Sequence, residues 1–244
     1  MEDLTVALPL PKKGQRLFIV GKTGSGKTQC AVFHLSNQDF HNSTWIVIDF
    51  KGEKLFDQID GAVIISEKTH GSDFMSYRPE RNGLYIYRPS ESQIREVNDL
   101  LWWMYEVENI NLFVDEGYMF PAQGGDSKAL RTLLTQGRSK GISVILLSQR
   151  PVWCTKFAIS ESDYIQAFFL MTKDDRKMVG DFLGGMDLES YMTTKNSQRR
   201  RLLKDYHSLY YVVGKDELYE LPPVPNSTEL LKRFDIPKQS KRSL

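Results

Sequence analysis

Gly21-Lys22-Thr23-Gly24-Ser25-Gly26-Lys27-Thr28 fits the pattern G-x-x-x-x-G-K-[ST] at every fixed position, and its flanks make it decisive for the fold. On its N-terminal side, Arg16 to Val20 form a short apolar run bounded by Gly14 and Gly21. Such a run suits a strand buried on both faces of a parallel sheet. On the other side, Gln29 to Leu35 follow without a breaker, so a helix is predicted to begin near Lys27. Strand, glycine-rich turn and helix in that order make a phosphate cradle. The glycines allow backbone angles that turn successive N–H groups inward, and the helix start adds its positive dipole end. In such a P-loop, Lys27 meets the β- and γ-phosphates and Thr28 ligates magnesium. An ordinary glycine-rich turn is the competing reading, and the agreement of pattern, strand and helix counts against it.

Working outward, the chain repeats the strand-then-helix rhythm. Trp45-Ile46-Val47-Ile48-Asp49 reads as a second buried strand, with shorter ones at Val63 to Ile65 and Leu84 to Tyr87. From Gln93 to Glu108 the spacing is helical, with Ile94, Val97, Leu100, Leu101, Met104 and Tyr105 roughly on one face. Asn111 to Asp115 is a third strong strand, Lys128 to Arg138 a helix stopped beyond its end by Gly141, Ser143 to Ser148 a fourth strand and Tyr164 to Leu170 a fifth. Apolar strands alternating with helices imply an α/β fold, a mostly parallel sheet with helices on both faces. Residues 1–182 are expected to form this core. Residues 183–244, with Gly184-Gly185, a hairpin-like stretch from His207 to Tyr219 and a proline-containing tail, read as a small C-terminal appendage. From Leu221 onward the chain is expected to lie along the surface or to be partly mobile.

The composition narrows the function. In 244 residues, 41% are hydrophobic and 26% charged, enough for a buried core, which excludes collagen, a disulfide miniprotein and a long disordered tail. Lysine and arginine number 32 against 31 aspartate and glutamate, so no global field draws the chain onto a polyanion and any such contact must be local. Cys30 and Cys154 stand far apart without metal spacing, which fits a reducing compartment. No apolar run approaches the roughly 18 to 20 residues of a membrane span, and Met1 to Leu10 carry acid where a secretory leader needs a basic region, so none is expected.

A P-loop shows only that a nucleotide binds. For hydrolysis, Leu112-Phe113-Val114-Asp115-Glu116 offers an apolar strand ending in two acids. Asp115 can hold a magnesium hydration shell and Glu116 can polarise the attacking water. A helix N-cap acid pair is the alternative. The fourth strand ends in Ser148-Gln149-Arg150-Pro151, and in an open parallel sheet that places Gln149 at the same edge as Thr28 and Asp115. An amide there can bond both γ-phosphate and water, unless it is simply a polar strand end.

The P-loop, Ile48-Asp49-Phe50-Lys51-Gly52-Glu53, Phe113-Val114-Asp115-Glu116, and Gly137-Arg138-Ser139-Lys140-Gly141-Ile142 followed by Leu147-Ser148-Gln149-Arg150-Pro151 resemble the FtsK/HerA superfamily of DNA-pumping ATPases. Over residues 14–170 the compact chain is most similar to the genome-packaging ATPases of tailless, internal-membrane viruses with double-jelly-roll capsids. The resemblance implies a P-loop NTPase fold of ASCE/RecA-like type and ATP hydrolysis with magnesium. It makes Lys27 and Thr28 the P-loop pair, Asp115 the Walker B acid, Glu116 the catalytic glutamate and Gln149 the sensor. It puts Arg138 where family members offer an arginine finger to a neighbouring subunit, hence a ring, commonly a hexamer. Arg138 as a helix C-terminal cap is the competitor, and Arg150 is the other finger candidate. The implied partners are double-stranded DNA and capsid vertex or portal proteins, in the host cytoplasm during assembly or on the virion at a packaging vertex. Asp49 and Lys51 match a recurrent strand-two signature whose chemistry the sequence does not give.

Lys195, Arg199, Arg200, Arg201 and Lys204 fall in a stretch without acids. In a ring, one such stretch per subunit makes a basic collar for DNA phosphates, the alternative being a solvated turn or a capsid contact. Trp102 and Trp103 cannot both face one way on a helix, so one is expected in the core and the other under a neighbouring element or subunit. Two further function classes stay open. One is a conjugation or chromosome-transfer pump, and the other a nucleotide-gated assembly factor at a capsid or secretion portal. A nucleotide kinase would want an acceptor pocket and lid that the sequence does not display.

Overall fold

The computed structural model describes residues 9–120, 128–194 and 202–238. Among these residues nine strands, β1 (Arg16–Val20), β2 (Thr44–Ile48), β3 (Val63–Ile65), β4 (Gly83–Tyr87), β5 (Ile110–Val114), β6 (Val144–Ser148), β7 (Tyr164–Ala167), β8 (Ser208–Val212) and β9 (Glu217–Leu221), form one sheet in the order β3-β4-β2-β5-β6-β1-β7-β8-β9. Neighbours from β3 through β7 are parallel, and β8 and β9 are antiparallel. The helices are α1 (Lys27–Ser36), α2 (Glu67–His70), α3 (Ile94–Val107), α4 (Lys128–Gln136), α5 (Phe157–Ser160), α6 (Lys173–Phe182), α7 (Leu188–Thr193) and α8 (Ser227–Leu231). The expected α/β fold with a mostly parallel sheet is the one observed.

Strand alternation sends side chains to two cores. Phe18 and Val20 of β1 face a cluster with Val97, Leu100, Leu101 and Met104 of α3, Leu130 and Leu133 of α4, and Val179 of α6. Leu17 and Ile19 face the other, with Cys30, Ala31, Val32 and Phe33 of α1. Both faces of the central strands are thus dry, which is why their sequences read as unbroken apolar runs.

Two elements end earlier than expected. The helix at Lys128 stops at Gln136 and tightens into a 3₁₀ turn over Gly137–Lys140, closed by Gly141 at φ 66°. Strand β7 stops at Ala167 rather than Leu170 because β1 turns away into the P-loop. Pairing continues only through Phe168 N–H to the Val20 carbonyl (2.8 Å) and Lys22 N–H to the Phe169 carbonyl (2.9 Å).

The C-terminal quarter joins the sheet itself. The hairpin-like stretch is β8 and β9, and β8 adds to β7 with Tyr164 opposite Val212 and Ala167 opposite Leu209. Tyr210 is fully buried among α1-side residues. The tail beyond Leu221 is docked as far as it is described, since Leu230 of α8 and Ile236 are buried and Phe234 stacks on Phe40. Neither Trp102 nor Trp103 is fully buried. Trp102 meets Tyr105 edge-on and Trp103 lies under the Arg78 guanidinium.

Candidate active site

Strand order builds the site. The parallel strands β1, β5 and β6 all end at one edge, with β6 between the other two, so the P-loop, Gln149 and Asp115-Glu116 meet there. The loop folds tightly against the sheet: Gly21 N–H donates to the Ser148 carbonyl (3.2 Å). A Cβ on Gly21 would stand 2.6 Å from that of Phe168, so only glycine fits. Gly24 and Gly26, at φ 73° and 97°, take left-handed angles that release the chain into α1.

Lys27 is 6% exposed, and its ammonium donates to the Lys22 carbonyl across the loop (3.0 Å). Burial first, and then the charge of Lys51, pull its pKa down to about 8, with Asp115 opposing. Thr28 stands on the first turn of α1. Asp115, directly after β5, is 2% exposed, and neither carboxylate oxygen has a partner. Burial pushes its pKa up to about 6, Lys51 pulls the other way, and Asp49 and Glu53 add to the rise.

Glu116 is anchored by one oxygen and open at the other. Oε1 accepts from Gln149 Nε2 (2.6 Å) and pairs with the Lys51 ammonium. Oε2 is buried without a partner. Thr23 of the P-loop donates its hydroxyl proton to Gln149 Oε1, so one amide bridges loop and glutamate. The N-cap alternative for the acid pair fails on this geometry, because neither side chain caps the short turn at Gly117–Met119.

The strand-two signature gains a physical role here. Asp49 is fully buried and accepts the Glu53 N–H at both oxygens (3.1 and 2.9 Å) and Arg88 Nε (3.0 Å). Arg88 also donates to Asp57 (2.7 Å) and to the Glu53 carbonyl (3.1 Å). Asp49 thus ties the loop that carries Lys51 to Glu116. Sequence reasoning had no view of Arg88, which lies far along the chain at the end of β4. Its only signal was a lone arginine directly after an apolar run.

The arginines separate. Arg138 lies at the opposite end of β6 from Gln149, roughly 16 Å away by strand rise, so it does not reach the P-loop of its own chain. Its guanidinium pairs with Asp163 and is more than half exposed, and among the described residues it makes no hydrogen bond to a helix-end carbonyl, although it stands in the last turn of the 3₁₀ segment. Arg150 is at the P-loop edge, donating from Nε to Asp175 (3.1 Å) and stacked over Trp153 at 4.2 Å. Lys195, Arg199, Arg200 and Arg201 lie outside the described residues. Lys204 lines a cavity with Lys22, Gly24 and Ser25 of the P-loop.

The donor set fits a magnesium ion with its nucleotide. A carboxylate with two unmet oxygens and a threonine hydroxyl are hard oxygen donors, and a buried lysine stands beside them to neutralise phosphate. Among the described residues, no helix is long and apolar enough to cross a membrane.

No family model matches the chain. The DNA packaging ATPase P9 of Enterobacteria phage PRD1 is 43% identical over 240 residues, which is 98% of this chain and 100% of that protein. Among solved structures, the genome packaging NTPase B204 of Sulfolobus turreted icosahedral virus 2, in complex with AMPPCP, matches with a TM-score of 0.63 at 18% identity. The match covers 87% of this chain and 99% of that one. EssC (ATPases 2 and 3) of Geobacillus thermodenitrificans matches with a TM-score of 0.53 at 10% identity, over 82% of this chain and 38% of that one. The two structures share the fold, and the phage protein shares sequence end to end: the chain belongs to the family of viral DNA-packaging ATPases.

Proposed function

We propose that this chain hydrolyses ATP at the edge formed by β1, β5 and β6 and uses the energy to drive double-stranded DNA into a preformed capsid. The observation that carries the reading is the convergence of Lys27, Asp115 and Glu116, with three buried carboxylate oxygens left unmet beside the phosphate loop. Backbone N–H groups of Gly21 to Thr28 hold the phosphates and Lys27 neutralises the β- and γ-oxygens. Thr28 and Asp115 would hold magnesium, which would offset phosphate charge when bound. Glu116 Oε2 accepts the proton of the attacking water, while Oε1 stays fixed by Lys51 and Gln149. Gln149 couples the glutamate to Thr23, so a change at the γ-phosphate is felt at both.

Arg138 acts on the site of a neighbouring copy. Its exposure and its distance from its own P-loop support that reading, which makes the working unit a ring, a hexamer by the family pattern. The basic stretch Lys195, Arg199, Arg200, Arg201 and Lys204 is the DNA-phosphate contact in this reading, and Lys204 lines a cavity with Lys22 of the phosphate loop. Capsid vertex or portal proteins are the docking partners, in the host cytoplasm during assembly and at a packaging vertex of the virion.

The test is steady-state ATPase activity against protein concentration, with and without duplex DNA. Turnover per subunit is expected to rise with concentration and again with duplex. Mixing Lys27→Ala with Arg138→Ala subunits, each inactive alone, is expected to restore part of the activity. Full activity in dilute monomer that ignores duplex would instead favour an assembly factor that binds ATP and pumps nothing.

A further inference from the structure

The chain returns to the P-loop just before β8, over Lys204 to His207. Tyr206 there lies between two cavities. One, of about 270 Å³, is bounded by Lys22, Gly24, Ser25 and Phe169. The other, of about 350 Å³, is a groove bounded by Gly26, Gln29, Phe168, Pro222 and Val224. The groove therefore begins at the glycine where the phosphate loop enters α1. A Cβ placed on Gly26 would lie 3.5 Å from the Tyr206 ring and 3.6 Å from the Phe168 ring, so two aromatic edges flank the exit of the loop.

Tyr206 is not a core residue. It is 59% exposed, so it contributes little to the core. Its φ of 62° is a left-handed angle that a bulky side chain adopts only at an energetic cost. The polar side chains of the groove are already engaged: Gln29 donates its amide to the Pro225 carbonyl (2.6 Å), and Ser208 Oγ accepts from Gln166 (2.8 Å). What remains is a groove of mixed polar and apolar lining, with the exposed Tyr206 ring, Phe168 and two prolines among its walls, that begins at Gly26 of the phosphate loop. Aromatic rings beside a groove that adjoins the phosphate loop are what a planar heteroaromatic ring needs for stacking.

We propose that this groove holds the purine base of the nucleoside triphosphate and that Tyr206 is its stacking platform. The proposal rests on the reading that Gly21 to Thr28 bind the phosphates. Asp115 and Glu116 take the γ-phosphate side of the loop, and the base leaves on the side of β7 and β8.

The test is calorimetric titration of the full chain with magnesium ATP and, separately, with inorganic tripolyphosphate, which has the phosphates and no base. Tyr206→Ala is expected to weaken ATP binding on the order of tenfold and to leave tripolyphosphate within about twofold of the wild type, while Tyr206→Trp retains ATP affinity. Since Tyr206 is mostly exposed, its truncation leaves both cores intact. Unchanged ATP affinity in Tyr206→Ala would overturn the base seat, as would equal losses of both ligands, which would make Tyr206 a support of the loop. Lys27→Ala serves as the separate control and is expected to lose both ligands. If it kept both, the phosphate-loop reading would fail, whatever Tyr206 did.

Discussion

Two aspartates end adjacent parallel strands in this protein and are treated in opposite ways. Ile48 pairs with Val114, so Asp49 after β2 and Asp115 after β5 are neighbours across the sheet edge. Both are buried, at 0% and 2% exposure. Asp49 has its carboxylate filled by a backbone N–H and an arginine. Asp115 has two empty oxygens and a pKa raised to about 6. A buried charge without partners is unfavourable, and a fold keeps one only where something arrives to meet it. Asp49 therefore serves the folded chain and Asp115 serves the bound ligand. Glu116 combines the two treatments, with one oxygen held and the other waiting.

The largest effect that would break this contrast is catalytic. Glu116→Gln keeps the shape and the Gln149 contact region but removes the base, so kcat is expected to fall by about 10²–10⁴-fold with ATP affinity retained. Asp115→Asn is expected to lose turnover as well while leaving the thermal midpoint equal to or above that of the wild type, because it removes an unmet charge. Steady-state ATPase assays and a thermal melt without nucleotide check both. A melt that collapses in Asp115→Asn would show that Asp115, like Asp49, is part of the scaffold.

Asp49→Ala should behave the other way. It leaves Arg88 Nε and the Glu53 N–H without their acceptor, although Arg88 keeps Asp57, and the expected loss of stability is about 3 kcal/mol by denaturant titration. Activity falls as a consequence, because the loop that brings Lys51 to Glu116 loosens. An Asp49→Ala protein of normal stability would remove the distinction between the two aspartates.

That distinction was only half legible in the sequence. The P-loop, the acid pair and Gln149 could be placed at one edge because parallel strands carry their functional residues at their C-terminal ends, and apolar runs bounded by glycine located those ends. The partners of Asp49 and Lys51 could not be read, since Arg88 and Glu116 meet them only through strand order, and strand order is a long-range property. The same reason hid the fate of the C-terminal quarter. Its hairpin pattern was visible, but its attachment to β7 depends on Gln166 reaching Ser208 and on Tyr210 entering the α1 core. Tyr206 had no signal at all, because a left-handed tyrosine looks like any other tyrosine in one dimension.

His34 sharpens the comparison with a third treatment of a buried titratable group, neither paired with charge nor left open to a ligand. It sits on α1, 1% exposed, with Nε2 bonded to Gln166 Oε1 at 2.8 Å and its ring stacked on Tyr210. The Gln166 oxygen can only accept, so Nε2 carries the proton and Nδ1, which has no partner, carries the lone pair. Burial lowers the His34 pKa to about 4 from an ordinary 6.5, against the smaller opposing pull of the Gln166 bond. As pH falls below 6.5 the unfolded chain takes up a proton that the folded chain refuses until about 4, so this contribution to stability is complete above that window and is lost through it. The loss is expected to be about 2 kcal/mol between pH 7 and pH 4.5. His34→Gln should lower stability at pH 7 but lose about that much less on acidification, since the carboxylates titrate alike in both proteins. Denaturant midpoints at the two pH values check it, and parallel acid losses in the two proteins would mean that the imidazole takes its proton inside the fold, in a site more polar than the α1–β8 packing implies.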